Sequence, residues 1–117
     1  MTFAAPLLLL RPTPAAAHAV VIGSSPAAAA VLPALPGTVT IRFNSRIDHA
    51  RSRLLLVPPE GEPLALALAP PGEHTVLEAA IPPSLPAPAG GWRLRWQVLA
   101  IDGHITRGDI PFRLGTP

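Results

Sequence analysis

The chain has 117 residues, 49% of them hydrophobic, with seventeen prolines, nine glycines, no cysteine and a net charge of +2. A single domain of this size can bury a core without covalent staples, and the missing cysteines exclude disulfides, zinc–thiolate and iron–sulfur sites and cysteine nucleophiles. All nine basic residues are arginines scattered among seven acids, so the footprint of a nucleic-acid-binding surface is missing and no nucleic-acid partner is expected.

The first 17 residues read as a signal peptide, either one whose start is truncated or one of atypical form. Residues 4–10 form a short apolar run, and Ala15-Ala16-Ala17 is a small-residue cleavage site, although no positive n-region precedes them. The run is too short to span a bilayer, which takes about 20 apolar residues. Cleavage after Ala17 makes His18 the N-terminus of a mature domain covering residues 18–117.

Beyond this leader, prolines and glycines cut the chain into short pieces, and no helical period survives three turns without a proline. Residues 18–22 read as a first, weak strand. In residues 38–43 the alternation is clear, with Val39, Ile41 and Phe43 on one face. Residues 53–57, 64–68 and 75–81 are further strand candidates, separated by the turn signals Pro58-Pro59-Glu60-Gly61 and Pro70-Pro71-Gly72-Glu73. Residues 82–88 read as an extended connection. In residues 92–98, Trp92, Leu94, Trp96 and Val98 face the core, while Arg93, Arg95 and Gln97 point to solvent. In residues 110–114, Ile110, Phe112 and Leu114 face inward; Pro111 cannot donate to a ladder, which places this strand at an edge or turns its N–H side outward. About seven short strands at this spacing predict an all-β protein, a small Greek-key β-barrel or sandwich of immunoglobulin- or cupredoxin-like form.

Metal chemistry is written into two places. An N-terminal His18 offers its α-amine and its ring Nδ1 to one ion, and Asp102-Gly103-His104 adds a carboxylate and an imidazole. Nitrogen-rich ligation with one carboxylate and no thiolate suits Cu(II) in a tetragonal site, one ion per chain. The amine and both imidazoles must be unprotonated to bind, so affinity is expected to climb from acid to neutral pH. Gly103 permits a sharp turn between the two motif ligands. Asp102 serves either as an oxygen ligand or as the hydrogen-bond partner that fixes a histidine tautomer, and sequence leaves both roles open. His49, past a strand end, reads as a solvated loop histidine with an outside role as a further ligand. His74, in a Pro-Gly-Glu-His turn, reads as surface.

The order of these segments resembles a known family. His18-Ala19, Ser24-Ser25-Pro26-Ala27, residues 39–43, the run Gly91-Trp92-Arg93-Leu94-Arg95-Trp96-Gln97-Val98, Asp102-Gly103-His104, Gly108 and Phe112 look together like the CopC family of periplasmic copper-resistance proteins, over residues 18–114. The resemblance implies a small Greek-key β-barrel that is exported to the periplasm and binds Cu(II) through His18, Asp102 and His104. It also implies copper delivery to a CopD-like permease of the inner membrane. Two departures stand out. Some members bind Cu(I) in a methionine-rich loop, whereas Met1 is the only methionine here. Some place a glutamate near the copper after the strand ending at Phe43, where this chain has Asn44-Ser45-Arg46.

The expected function is therefore a monomeric, non-enzymatic periplasmic Cu(II) carrier for copper resistance and homeostasis. A copper-dependent oxidative enzyme built on the same histidine brace is the first alternative. It needs a broad, often aromatic substrate surface, and this chain has no Tyr and two Trp that read as core. A metal-free immunoglobulin-like interaction module of the cell envelope is the second, and it predicts no copper affinity.

Overall fold

The structure, a computed structural model, describes residues 19–115. Among them are eight strands: β1 (Val21–Ser25), β2 (Ala30–Leu32), β3 (Thr38–Phe43), β4 (Ile47–Val57), β5 (Leu64–Ala65), β6 (Val76–Ala80), β7 (Gly90–Ala100) and β8 (Ile105–Leu114). They form a sandwich of a three-stranded sheet, β1-β3-β6, and a five-stranded sheet, β2-β8-β7-β4-β5. The all-β sandwich expected from the alternation is the fold.

The core is built by that alternation. Val39, Ile41 and Phe43 of β3 face Leu54 and Leu56 of β4, Trp92, Leu94, Trp96 and Val98 of β7, and Ile110, Phe112 and Leu114 of β8, and every one of them is buried. Phe43 meets Trp96 edge to face, with ring centroids 5.2 Å apart and planes at 73°. This geometry directs a positive ring edge at a negative ring face. Trp92 stacks on Phe112 at 6.4 Å and donates its indole N–H to the Pro88 carbonyl at 2.9 Å, so the buried indole pairs its one polar atom. That bond also ties down the proline-rich connection of residues 82–88.

Several strand limits differ from the sequence reading, each for a local reason. β8 starts at Ile105 rather than at residue 110, because its inward positions are Thr106 and Gly108. Gly108 lies opposite Trp96 in the β7–β8 ladder, and a Cβ there would stand 2.7 Å from Trp96 Cζ2. The indole occupies the volume a side chain would take, and this hides the apolar alternation. β4 starts at Ile47 rather than at residue 53. Its register with β7 shifts between Asp48 and Arg53, and the buried Ser52 fills the bulge. Ser52 Oγ donates to the Asp48 carbonyl at 2.6 Å and accepts the Leu99 N–H at 3.4 Å, standing in for a missing ladder bond.

Residues 64–68 are not one strand. Leu64 and Ala65 pair with β4 and Leu66 N–H bonds the Leu54 carbonyl at 2.9 Å, after which Leu68 bridges to Ala79 in the other sheet. The chain changes sheets within five residues. β2 went unpredicted, since Ala30-Val31-Leu32 is apolar throughout and does not alternate. β8 is not an edge strand either, because β2 runs parallel to it from Phe112 to Leu114. The Pro111 carbonyl accepts the Ala29 N–H at 2.7 Å. A strand residue's N and C=O point to the same side, so the ring nitrogen of Pro111 faces the β2 side just ahead of that ladder, where no donor is needed. The edges of the five-stranded sheet are the short β2 and β5, which blunts edge-to-edge association.

The seat of Trp96 on Gly108 generates a stability prediction. Gly108→Ala forces the Cβ into the indole and should destabilise by about 1–3 kcal/mol, while Trp96→Ala should cost about 3–5 kcal/mol. Chemical denaturation of the metal-free protein measures both. A Gly108→Ala variant as stable as the parent would show that the indole is not held there.

Candidate metal centre

The β7–β8 hairpin ends in a tight turn over residues 100–104. Gly103 N–H bonds the Ala100 carbonyl at 2.9 Å and Ala100 N–H bonds the His104 carbonyl at 2.8 Å. Gly103 takes φ +94°, a conformation open to glycine and strained for residues with a Cβ. The turn is held from the side as well, since Ile101 N–H donates to the Arg46 carbonyl at 3.1 Å.

Asp102 and His104 meet on this turn. Asp102 Oδ1 accepts the His104 backbone N–H at 3.1 Å, and Asp102 Oδ2 lies 3.0 Å from His104 Nδ1. A carboxylate only accepts, so the ring carries its proton on Nδ1 and its acceptor lone pair is on Nε2. A carboxylate that holds one ring nitrogen is the usual partner of a histidine that ligates a metal through the other. Both side chains are substantially exposed, at 32% and 58%, so an ion can reach them from solvent.

The expected third ligand, His18, lies outside the described residues, as does the cleavage site before it. Its neighbours are placed. Ala19 is buried and its carbonyl accepts Thr106 Oγ1–H at 3.2 Å. Val20 and Asn44 bond reciprocally: Val20 N–H to Asn44 Oδ1 at 2.8 Å, and Asn44 N–H to the Val20 carbonyl at 2.9 Å. The chain next to His18 is thus pinned beside Thr106, two residues from His104. Asn44 works here as a backbone clamp. A lone polar residue after a strand reads as an ordinary turn, so sequence gave no signal of this.

Among the described residues, no group of three or more His, Asp or Glu side chains is placed to hold a metal; Asp102 and His104 form a pair. His49 is not in a loop. It lies half-buried on β4 with Nε2 2.6 Å from the Val76 carbonyl, which turns it toward the three-stranded sheet as a tie between sheets. His74 is exposed, as expected. Ser45 Oγ, in the loop next to Asn44, is buried without a hydrogen-bond partner among the described residues.

This architecture has known counterparts. The model of the CopC domain matches residues 21–115, and the chain belongs to the CopC family. It is similar to the protein YobA of Escherichia coli strain K12, at 28% identity over 96 residues, 82% of this chain and 77% of YobA. YobA of Shigella flexneri matches to the same extent. The crystal structure of CopC from Methylosinus trichosporium OB3b superposes with TM-score 0.70 at 23% identity, over 83% of this chain and 93% of that one. PcoC, a methionine-rich copper resistance protein from Escherichia coli, superposes with TM-score 0.66 at 23% identity, over 84% of this chain and 99% of that one. The sandwich is therefore the fold of copper-resistance proteins, although this chain has a single methionine, Met1.

The Asp102–His104 contact predicts a tautomer. Nitrogen-15 NMR of the metal-free protein above the histidine titration range should find the His104 proton on Nδ1, and Asp102→Ala should move the balance toward Nε2–H. An unchanged tautomer ratio in Asp102→Ala would remove the carboxylate's orienting role.

Proposed function

We propose that the mature protein, starting at His18 in the periplasm, is a carrier that binds one Cu(II) for copper resistance and homeostasis. The observation that carries this reading is the anchoring of Ala19 against Thr106, two residues from a histidine whose tautomer Asp102 sets. In this reading the His18 amine and Nδ1 and the His104 Nε2 supply three nitrogens. Asp102 orients His104 and offers a carboxylate oxygen close by. Such a donor set favours Cu(II) over harder ions, and the single methionine leaves no set of thioethers to hold the softer Cu(I). Membership of the CopC family supports copper as the cargo and argues against a catalytic role. Both tryptophans are buried, which leaves an oxidative enzyme without an aromatic substrate platform. The copper would pass to a CopD-like membrane permease.

The test is competitive titration with a chelator of known affinity at fixed pH, read with electron paramagnetic resonance. The protein starting at His18 should bind one Cu(II) with a type-2, nitrogen-dominated spectrum. One extra residue before His18, or acetylation of its amine, should raise Kd by at least about tenfold, as the bidentate terminus becomes monodentate. His104→Ala should weaken binding strongly, Asp102→Ala less, and His74→Ala hardly at all. Equal affinity of the extended and the His18-starting proteins would refute the brace, and no copper binding at all would refute the carrier.

A further inference from the structure

The outer face of the five-stranded sheet gathers most of the molecule's positive charge. Arg51 and Arg53 of β4, Arg93 and Arg95 of β7, and Arg107 and Arg113 of β8 lie on its solvent side. They are six of the nine arginines in the chain, whereas two of the seven acids, Asp48 and Asp109, share the face. The face therefore carries a formal +4 in a chain of net +2, and all its other charges sum to −2.

The arginines stand in ordered rows. The register places Arg53 beside Gln97 and Arg107, Leu55 beside Arg95 and Asp109, Arg93 beside Pro111, and Gly91 beside Arg113. Asp109 fixes two of them, with Oδ2 3.1 Å from Arg93 Nη1 and Oδ1 3.0 Å from Arg95 Nε. One carboxylate thus holds two guanidinium groups upright and leaves most of their ten N–H donors unspent. Beside this pair is a hollow of about 440 Å³, with Arg93 and Arg113 on its walls, Pro111 and Ala29 at its sides and no acid in its lining. Gly91 lines its floor, where a Cβ would come into ordinary van der Waals contact with the Arg113 guanidinium, at 3.8 Å.

We propose that this face docks an acidic polypeptide segment of a partner protein, with one carboxylate of that segment seated in the hollow between Arg93 and Arg113. Charge complementarity and the use of arginine select the occupant, because a planar guanidinium fork pairs with carboxylates in two-bond geometry. A lipid surface is the less favoured occupant: anionic headgroups attract basic clusters, but the face has no exposed Trp or Tyr to seat at the interface, since Tyr is absent and both Trp are buried. Single-stranded nucleic acid would need exposed aromatic rings to stack its bases, and the face has none. The surface is separate from the copper ligands, so this inference stands or falls independently of the carrier reading.

The experiment is fluorescence anisotropy of a labelled oligoglutamate titrated with the full-length mature protein at low salt. Binding is expected, should weaken as salt rises, and should be the same with and without copper and in His104→Ala. The double variant Arg93→Gln/Arg113→Gln should lose at least about tenfold in affinity, and so should Arg113→Glu alone, which leaves the Arg93–Asp109 contact intact. Arg42→Gln/Arg46→Gln, which removes the same charge from other surfaces, should change Kd by no more than about twofold. Failure to bind oligoglutamate, an equal loss in the Arg42→Gln/Arg46→Gln control, or binding only to phosphatidylglycerol vesicles or to oligothymidylate would each overturn the proposal.

Discussion

Everything that positions this protein's chemistry depends on the packing of Trp96 between Gly108 and Phe43. The indole covers a glycine on the neighbouring strand and presents a face to the Phe43 ring in the opposite sheet. It locks β7 to β8 within one sheet and that sheet to β3 of the other. β7 and β8 pair continuously from Gly90↔Leu114 to Leu99↔Ile105, so the turn at residues 100–104 sits at the end of a stiff lever. A metal ligand gains from such support, since small displacements of the imidazole would cost coordination geometry. The core also closes without any contribution from Asp102 and His104, which lie on the turn and not within it.

A second set of constraints works at the same end of the sandwich. The loop of residues 44–46 binds the entering chain through Asn44 and Val20, and the hairpin turn through Arg46 and Ile101. Thr106 adds the bond to Ala19. Three separate parts of the sequence are thereby drawn together by backbone-directed hydrogen bonds, which set position without using the Asp102 and His104 side chains. Asp102 contributes differently. Both of its oxygens are directed at His104, one at the backbone and one at the ring, so it shapes the turn and sets the ring's proton with a single carboxylate.

The sequence made β3, most of β7 and the last half of β8 legible because their inward positions are large and apolar and their outward ones polar. It concealed β8 from Ile105 to Asp109, where Thr106 and Gly108 face inward and the bulk belongs to Trp96 across the ladder. It concealed the start of β4, because a bulge shifts the alternation and a serine hydroxyl replaces an apolar residue. The alternating Leu-Ala run of residues 64–68 looked like a strand but divides its pairing between two sheets, a long-range fact that no local pattern encodes. At the candidate site the Asp-Gly-His motif was readable, because its turn chemistry and donor atoms are local. The Asn44 clamp and the tie between His49 and Val76 were not, since each joins residues more than twenty positions apart.

The hairpin also explains how a cation site can adjoin a face carrying a formal +4. Between the guanidinium row of Arg53 and Arg107 and the turn lies the outward row of Asp48, Leu99 and Ile105, whose one charge is the Asp48 carboxylate, 3.6 Å from Arg51. Two residues along a strand span about 7 Å, close to the Debye length of about 8 Å at physiological ionic strength. The row of Arg53 and Arg107 is thus set back from the last row before the turn by roughly the distance over which salt attenuates its charge, while Asp102, one of the five acids off the basic face, stands beside the histidine. Strand alternation sends the arginines outward and the core residues inward, and the last row before the turn, with no arginine and the one carboxylate of Asp48, separates the two kinds of surface. One rigid hairpin can then present a basic face along its length and the Asp102–His104 pair at its tip without either spoiling the other.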